Sequence, residues 1–317
     1  MTVNAVVIAG QAVLYVLIAP MSVGVLQWCK SRLQGRRGPG PLQLYRDLWK
    51  LLWVRPTRPR SASMVYLSAP ALVFTCFTLL GLALPTLAVT PGQGIDLLLV
   101  VGLITLARFV TTLAAFDAGS PFGPMSAGRQ WFIHLFAEPA LLVAAYVFAL
   151  SNGSTNVSRL VPQSSGLSML VSEPTISIAI AALLFVLLAE AGRLPFDRPG
   201  THLELTMVEE GTVLEYSGQA LALMWWGAAM KLTFALSLIA FLALPPGAAG
   251  DLTIATLAVA VLVYAMKLGV LLVLLAVWET SRSKMRLRGM LTQLMLAIGV
   301  MLFTLASLIV KNIPSGG

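Results

Sequence analysis

Charge is what this chain has least of: only 11% of its 317 residues are Asp, Glu, Lys or Arg. A soluble globular domain carries about 25%, so that class is excluded. Cysteine is nearly missing too. Cys29 and Cys76 stand far apart and form no C-x-x-C pair, which excludes an iron–sulfur or structural zinc site built by this chain alone. No P-loop, nucleophile–base triad or metal-ligand spacing appears, so the sequence offers no catalytic chemistry of its own. A strong internal repeat is absent as well, and an inverted-repeat carrier has no support. The N-terminus has neither a basic n-region nor a small-residue cleavage site, and its first apolar run reads as a retained span.

What is present is hydrophobic: 58% of residues, with a mean hydropathy of +0.87. This predicts an all-α integral membrane protein. A crossing helix needs about 20 apolar residues, and eight segments qualify, near 4–28, 64–89, 95–117, 129–150, 174–192, 217–244, 252–278 and 289–311. The net charge of +8 does not point to nucleic acid, because the cations gather in a few loops. Segment 30–60 carries nine of them against one acid, Asp47. By the positive-inside rule it faces the cytoplasm. Alternation then places loops 118–128, 193–216 and 279–288 inside and both termini outside.

The basic segment opens with a turn, Arg36-Arg37-Gly38-Pro39-Gly40-Pro41. Leu42, Tyr45, Leu48, Trp49, Leu52 and Trp53 follow at helical spacing, which predicts an amphipathic helix in the membrane interface. In 118–128, Gly and Pro are expected to stop the helix and leave Asp117 at the boundary.

Segment 190–216 holds six of the thirteen acidic residues: Glu190, Asp197, Glu204, Glu209, Glu210 and Glu215. Thr201-His202-Leu203-Glu204 matches a capping box and predicts a short helix in this loop, with Glu204 in a capping role. Gly211 allows a bend in it. His202 titrates near neutral pH and is a candidate for handling protons. Arg108, Glu138, Glu190, Lys231 and Lys267 are ionisable and fall well within predicted spans. Charge there is costly and faces protein or water. Static bridges such as Arg108–Glu138 are one reading. A string of Glu and Lys able to change protonation is the other, and it suits a proton relay. Arg108 cannot deprotonate, so it would tune a neighbour. Glu138 precedes Pro139, which frees a carbonyl one turn earlier.

Glu190-Ala191-Gly192-Arg193-Leu194-Pro195-Phe196-Asp197 resembles the E-A-x-R-x-P-F-D motif of the complex I subunit 1 superfamily, whose bacterial members are called H-type. The run Pro199-Gly200-Thr201-His202-Leu203-Glu204-Leu205-Thr206-Met207-Val208 is similar to the hydrogenase branch, formate hydrogenlyase subunit 4 and hydrogenase-4 component C. It lacks the E-x-E-x-E-L-V-x-G-Y type continuation of the quinone branch. R-R-G-P-G-P-L-Q at 36–43, D-x-G-S-P-F-G at 117–123 and Glu138-Pro139 agree with this.

The resemblance implies a single membrane domain in a prokaryotic plasma membrane. It anchors a [NiFe]-hydrogenase-like large subunit and an iron–sulfur small subunit on the cytoplasmic face, beside antiporter-like membrane subunits. The chain itself would hold no cofactor; the partners carry the [NiFe] and iron–sulfur centres. By analogy Glu190, Asp197, Glu204, Glu209, Glu210 and Glu215 form an acidic entrance. Asp117 and Glu138 form a path within the membrane, with Lys231 and Lys267 as further members. Arg36, Arg37, Arg193 and His202 would hold the docked arm or the loop. Two alternatives remain: the quinone-binding, H-type subunit of NADH:quinone oxidoreductase, and a stand-alone secondary transporter.

Overall fold

A computed structural model describes residues 2–57, 59, 61–86, 95–157, 174–197, 207–244 and 253–312. Among them the regular structure is helical: α1 (Thr2–Leu33), α2 (Gln43–Trp53), α3 (Met64–Ala83), α4 (Leu97–Asp117), α5 (Phe122–Asn152), α6 (Pro174–Glu190), α7 (Gly218–Ala243), α8 (Ile254–Ser281) and α9 (Leu287–Asn312), with a 3-10 turn at Glu210–Val213 before α7. Seven of these helices are long and apolar enough to cross a membrane. The eighth expected span is α6, whose 17 residues rise about 25 Å and reach the lower limit for crossing.

Contacts close a ring. Helix α3 packs on α4, α4 on α5, α5 on α6, α6 on α7, and α7 back on α3. Outside it, α1 lies against α7 and α3, α8 against α1, and α9 against α5 and α6. Side-chain oxygens begin several helices by accepting first-turn amides: Ser63 from Val65 N, Asp96 from Leu98 N, and Thr253 from Thr256 N in a capping box. Each cap satisfies a donor that the helix cannot.

Proline inside a helix leaves the carbonyl four residues earlier without its donor. Two aromatic side chains fill such gaps. Trp226 Nε1 donates to Val16 O at 2.9 Å, opposite Pro20, and the Tyr216 hydroxyl donates to Tyr66 O at 2.9 Å, opposite Pro70.

The amphipathic helix is present as α2. It buries Leu48 and leaves Trp49 and Trp53 65% and 75% exposed. Its Tyr45 hydroxyl donates to Leu17 O, and Gln219 donates to Leu52 O at 3.0 Å. Helix α3 ends at Ala83, short of 89, α1 runs on to Leu33, past 28, and the largest difference from expectation is that α5 starts at Phe122, well before 129. Pro124 lies in its first turn, where the missing N–H needs no partner. Gly123 packs flush on the Ala115 carbonyl, which a Cβ would meet at 2.6 Å.

Candidate functional site

Helix α6 stops deep in the ring. Its last residue, Glu190, meets Arg108 and His134, which lie about 14 Å and 18 Å along α4 and α5 from their Asp117 and Phe122 ends at 1.5 Å per residue. The seven residues Ala191–Asp197 that follow are all buried. The described part of the acidic segment, expected as a cytoplasmic loop with a short helix, therefore folds back into the bundle as a plug. Irregular backbone is tolerated at such depth only where protein or a wet cavity surrounds it.

Four ionisable side chains make the central cluster. Arg108 donates through one terminal nitrogen to Glu190 Oε1 at 2.7 Å and through the other to Glu138 Oε2 at 2.7 Å. His134 Nδ1 shares the same Glu190 oxygen at 3.1 Å. Thr105 donates to Glu138 Oε1 at 3.0 Å. Exposure rises along the chain of charges: Glu190 4%, Arg108 11%, Glu138 38%. Glu138 opens on a depression between α4 and α5 lined by Val101, Thr105, Phe109 and Leu142. At the inner end, Glu190, His134 and Arg108 line a cavity of ≈ 390 Å³ shared with Gln130, Lys231, Glu209 and Glu210. One guanidinium thus joins an interior cavity to the outer face of the subunit.

The plug is tied by charge. Asp197 Oδ2 accepts from Val208 N and Glu209 N at 3.2 and 3.0 Å, while Oδ1 accepts from Lys284 at 2.7 Å. Glu209 pairs with Lys231. Glu279, at the end of α8, accepts from Lys30 at 2.6 Å and faces Arg193 at 3.9 Å, an ionic contact rather than a hydrogen bond. Burial pulls the Arg193 guanidinium below its ordinary value, and the Glu279 and Glu210 carboxylates oppose that shift. Backbone bonds add to the strap: Met285 N donates to Pro195 O at 3.1 Å and Trp278 Nε1 to Leu194 O at 3.2 Å. Gly192 has φ +57°, and a Cβ there would meet Glu209 Oε2 at 1.9 Å.

Of the residues singled out from sequence, Arg108, Glu138, Glu190, Asp197, Glu209, Glu210, Lys231 and Arg193 converge on the cluster, the cavity or the plug. Asp117 sits elsewhere: its Oδ2 accepts from Ser63 N and Tyr66 N at 2.8 and 3.2 Å and holds the start of α3. Glu215 contributes its carbonyl to the Tyr66 hydroxyl at 2.7 Å. Lys267 is half-buried at the middle of α8 and does not line the cavity. Arg36 and Arg37 are exposed in the turn after α1. Glu204, His202 and the helix expected around them lie outside the described residues, and the helical part of the described segment is the 3-10 turn alone.

Sequence reasoning missed His134, Gln130, Lys30, Glu279 and Lys284 as members of the site. A signal existed for the first two, because Ser126, Gln130, His134 and Glu138 recur every fourth residue in an apolar helix.

Known proteins share this architecture. The NADH dehydrogenase family matches residues 5–311. Hydrogenase-4 component C of Escherichia coli (strain K12) is 33% identical over 279 residues, covering 87% of each chain. Formate hydrogenlyase subunit 4 of the same organism is 32% identical over 280 residues, covering 87% of this chain and 90% of its own. The H-type subunit of NADH-quinone oxidoreductase from Rickettsia typhi (strain ATCC VR-144 / Wilmington) is 28% identical, covering 76% of this chain and 75% of its own. Among solved structures, a chain of the membrane-bound sulfane sulfur reductase, an archaeal respiratory membrane complex, superposes with a TM-score of 0.79 at 20% identity, over 95% of this chain and 99% of that one. This multi-span membrane protein therefore belongs to the NADH dehydrogenase family, the superfamily of complex I subunit 1.

Proposed function

We propose that the chain is the membrane subunit through which a hydrogenase-type complex couples electron transfer in a docked arm to proton or sodium movement. The observation that carries this is the run Glu190–Arg108–Glu138, buried at its inner end, which leads from an interior cavity to the outer face. A structural bridge needs one acid per base. Here one base holds two acids from two helices, so neutralising either carboxylate moves the guanidinium towards the other. The relatives at 33% and 32% identity favour the hydrogenase branch over the quinone branch.

On this reading the chain holds no redox cofactor. A [NiFe] large subunit and an iron–sulfur small subunit dock on the face that carries the basic 30–60 segment, which is cytoplasmic in a prokaryotic plasma membrane. Antiporter-like subunits adjoin it within the bilayer.

The test is Glu138→Gln in the whole complex, reconstituted in proteoliposomes. Glutamine keeps the shape and cannot titrate, and Arg108 keeps Glu190. The complex is expected to assemble, turn over with an artificial donor and move far fewer ions per electron pair. Normal coupling in this variant sinks the proposal. Recovery of the complex without a nickel-binding partner, or with bound quinone, turns the assignment to the quinone branch.

A further inference from the structure

Ser126, Gln130, His134 and Glu138 lie four residues apart and so form one row along α5. The row begins beneath the 3-10 turn, where a Cβ on Gly211 would meet Ser126 Oγ at 1.9 Å. It ends at the carboxylate that meets Arg108. The first three are buried, with Ser126 0%, Gln130 4% and His134 6% exposed. Among the described residues, Ser126 Oγ and Gln130 Oε1 have no hydrogen-bond partner. Gln130 and His134 both line the ≈ 390 Å³ cavity.

An unpaired buried hydroxyl or amide oxygen costs about 1–3 kcal/mol. In native proteins such atoms are satisfied by water wherever a polar space admits it, and one water needs roughly 30 Å³. The cavity has the room and the polar walls. The loop carboxylates are less free, because Asp197 is tied to Lys284 and two amides, and Glu209 to Lys231.

We propose that this α5 row, rather than the carboxylates of the plug, is the inlet by which protons reach Glu190. Gln130 holds the water in the cavity, Ser126 continues the row towards the 3-10 turn, and His134 is the last carrier. The inference rests on the coupling reading above. A proton arriving through water binds His134 Nε2 and makes the imidazolium. The Nδ1 proton then passes to Glu190 Oε1, 3.1 Å away. Glu190 becomes a neutral acid and the ring a neutral imidazole of the other tautomer, which ring rotation or exchange with water resets. Arg108, on that same oxygen at 2.7 Å, is left with Glu138 as its one charged partner. Uptake at the inner end is thereby felt at the outer one. His134 is faced by Glu190 from α6, Arg108 from α4 and Lys231 from α7, and it shares the cavity with Arg193, Asp197, Glu209 and Glu210 of the plug.

The experiment uses the whole complex in proteoliposomes, with Gln130→Leu, His134→Gln and His134→Ala beside Glu138→Gln. It reads protons moved per electron pair across the neutral pH range. Both Gln130→Leu and His134→Gln are expected to lower that ratio about ten-fold or more. His134→Gln also removes its pH dependence, and added imidazole restores His134→Ala. Should the alanine variant fail to assemble, His134→Gln decides, since it keeps a hydrogen bond to Glu190. A wild-type ratio and profile in His134→Gln overturns the inlet. If Glu138→Gln is uncoupled while the α5 variants behave as wild type, the inlet fails and the coupling reading stands. If all of them couple normally, the coupling reading itself fails.

Discussion

The rings of Tyr66 and Tyr216 stack 4.2 Å apart and 6° from parallel, and each phenol donates to the backbone of the other's segment. The pair fastens the end of the acidic segment to α3. Tyr216 supplies the donor that Pro70 cannot, so Tyr216→Phe leaves Tyr66 O unpaired. A loss of about 1–3 kcal/mol follows, read as a lower melting temperature in detergent. Burial, followed by Tyr66 and Asp117, raises the Tyr216 phenol above its ordinary 10.0. The folded state therefore holds this proton more tightly than the unfolded chain. Its contribution is fully present below the ordinary value and is lost as pH rises through the native one. The phenylalanine variant should show a shallower alkaline decline.

Arg108 is the keystone of the cluster, and its removal should cost more than the loss of either acid. Arg108→Met leaves the two acids with no shared cation, and for Glu190, which is buried, that is a penalty of about 3–5 kcal/mol. The expected result is a sharp fall in the yield of assembled complex. Arg108→Lys keeps the charge but cannot span two acids with a planar fork, so its yield should fall between methionine and wild type.

How much of this was legible in the sequence depends on distance along the chain. The spans and the amphipathic helix α2 are local patterns, and helices form at those places in the chain. The plug was not legible. Apolar Ala191, Leu194 and Phe196 beside Arg193 and Asp197 read as a loop, and only the early end of α6 inside the ring puts them in the interior. Glu279 looked like the tail of an apolar run because its partner Lys30 is 249 positions away. Asp117 drew attention as a charge at a membrane boundary, yet its oxygen serves the α3 amides, a use that spacing cannot reveal. The α5 row was within reach, since its four-residue period is written in the chain.

Gly211 tests the contact between plug and row. A methyl group there would lie 1.9 Å from Ser126 Oγ and 3.3 Å from Met207 Cβ, so Gly211→Ala must push the 3-10 turn off α5. Overpacking of this kind costs about 1–3 kcal/mol. A lower melting temperature in detergent is the expected outcome, with the helices themselves intact.

Orientation can be read by chemical labelling. Cysteines placed at Gln34 and Ser165, in a background without Cys29, should react differently with an impermeant thiol reagent on intact cells. Ser165→Cys is expected to label and Gln34→Cys to stay unlabelled. The reverse pattern inverts the subunit and moves the docking face to the other side.

The bond from Lys284 to Asp197 closes over 87 positions, and it sets an order in time. The ribosome adds about 5–20 residues per second, so roughly 4–17 s separate the synthesis of the two partners. Throughout that interval the carboxylate has no lysine, Leu194 and Pro195 lack the donors supplied by Trp278 and Met285, and Arg193 lacks Glu279. The residues of α3 to α7 are all synthesised before Lys284, so the ring precedes the tie. A nascent chain halted before α8 therefore holds its plug by fewer bonds, and the last two helices, with the loop between them, are the latch that fixes it.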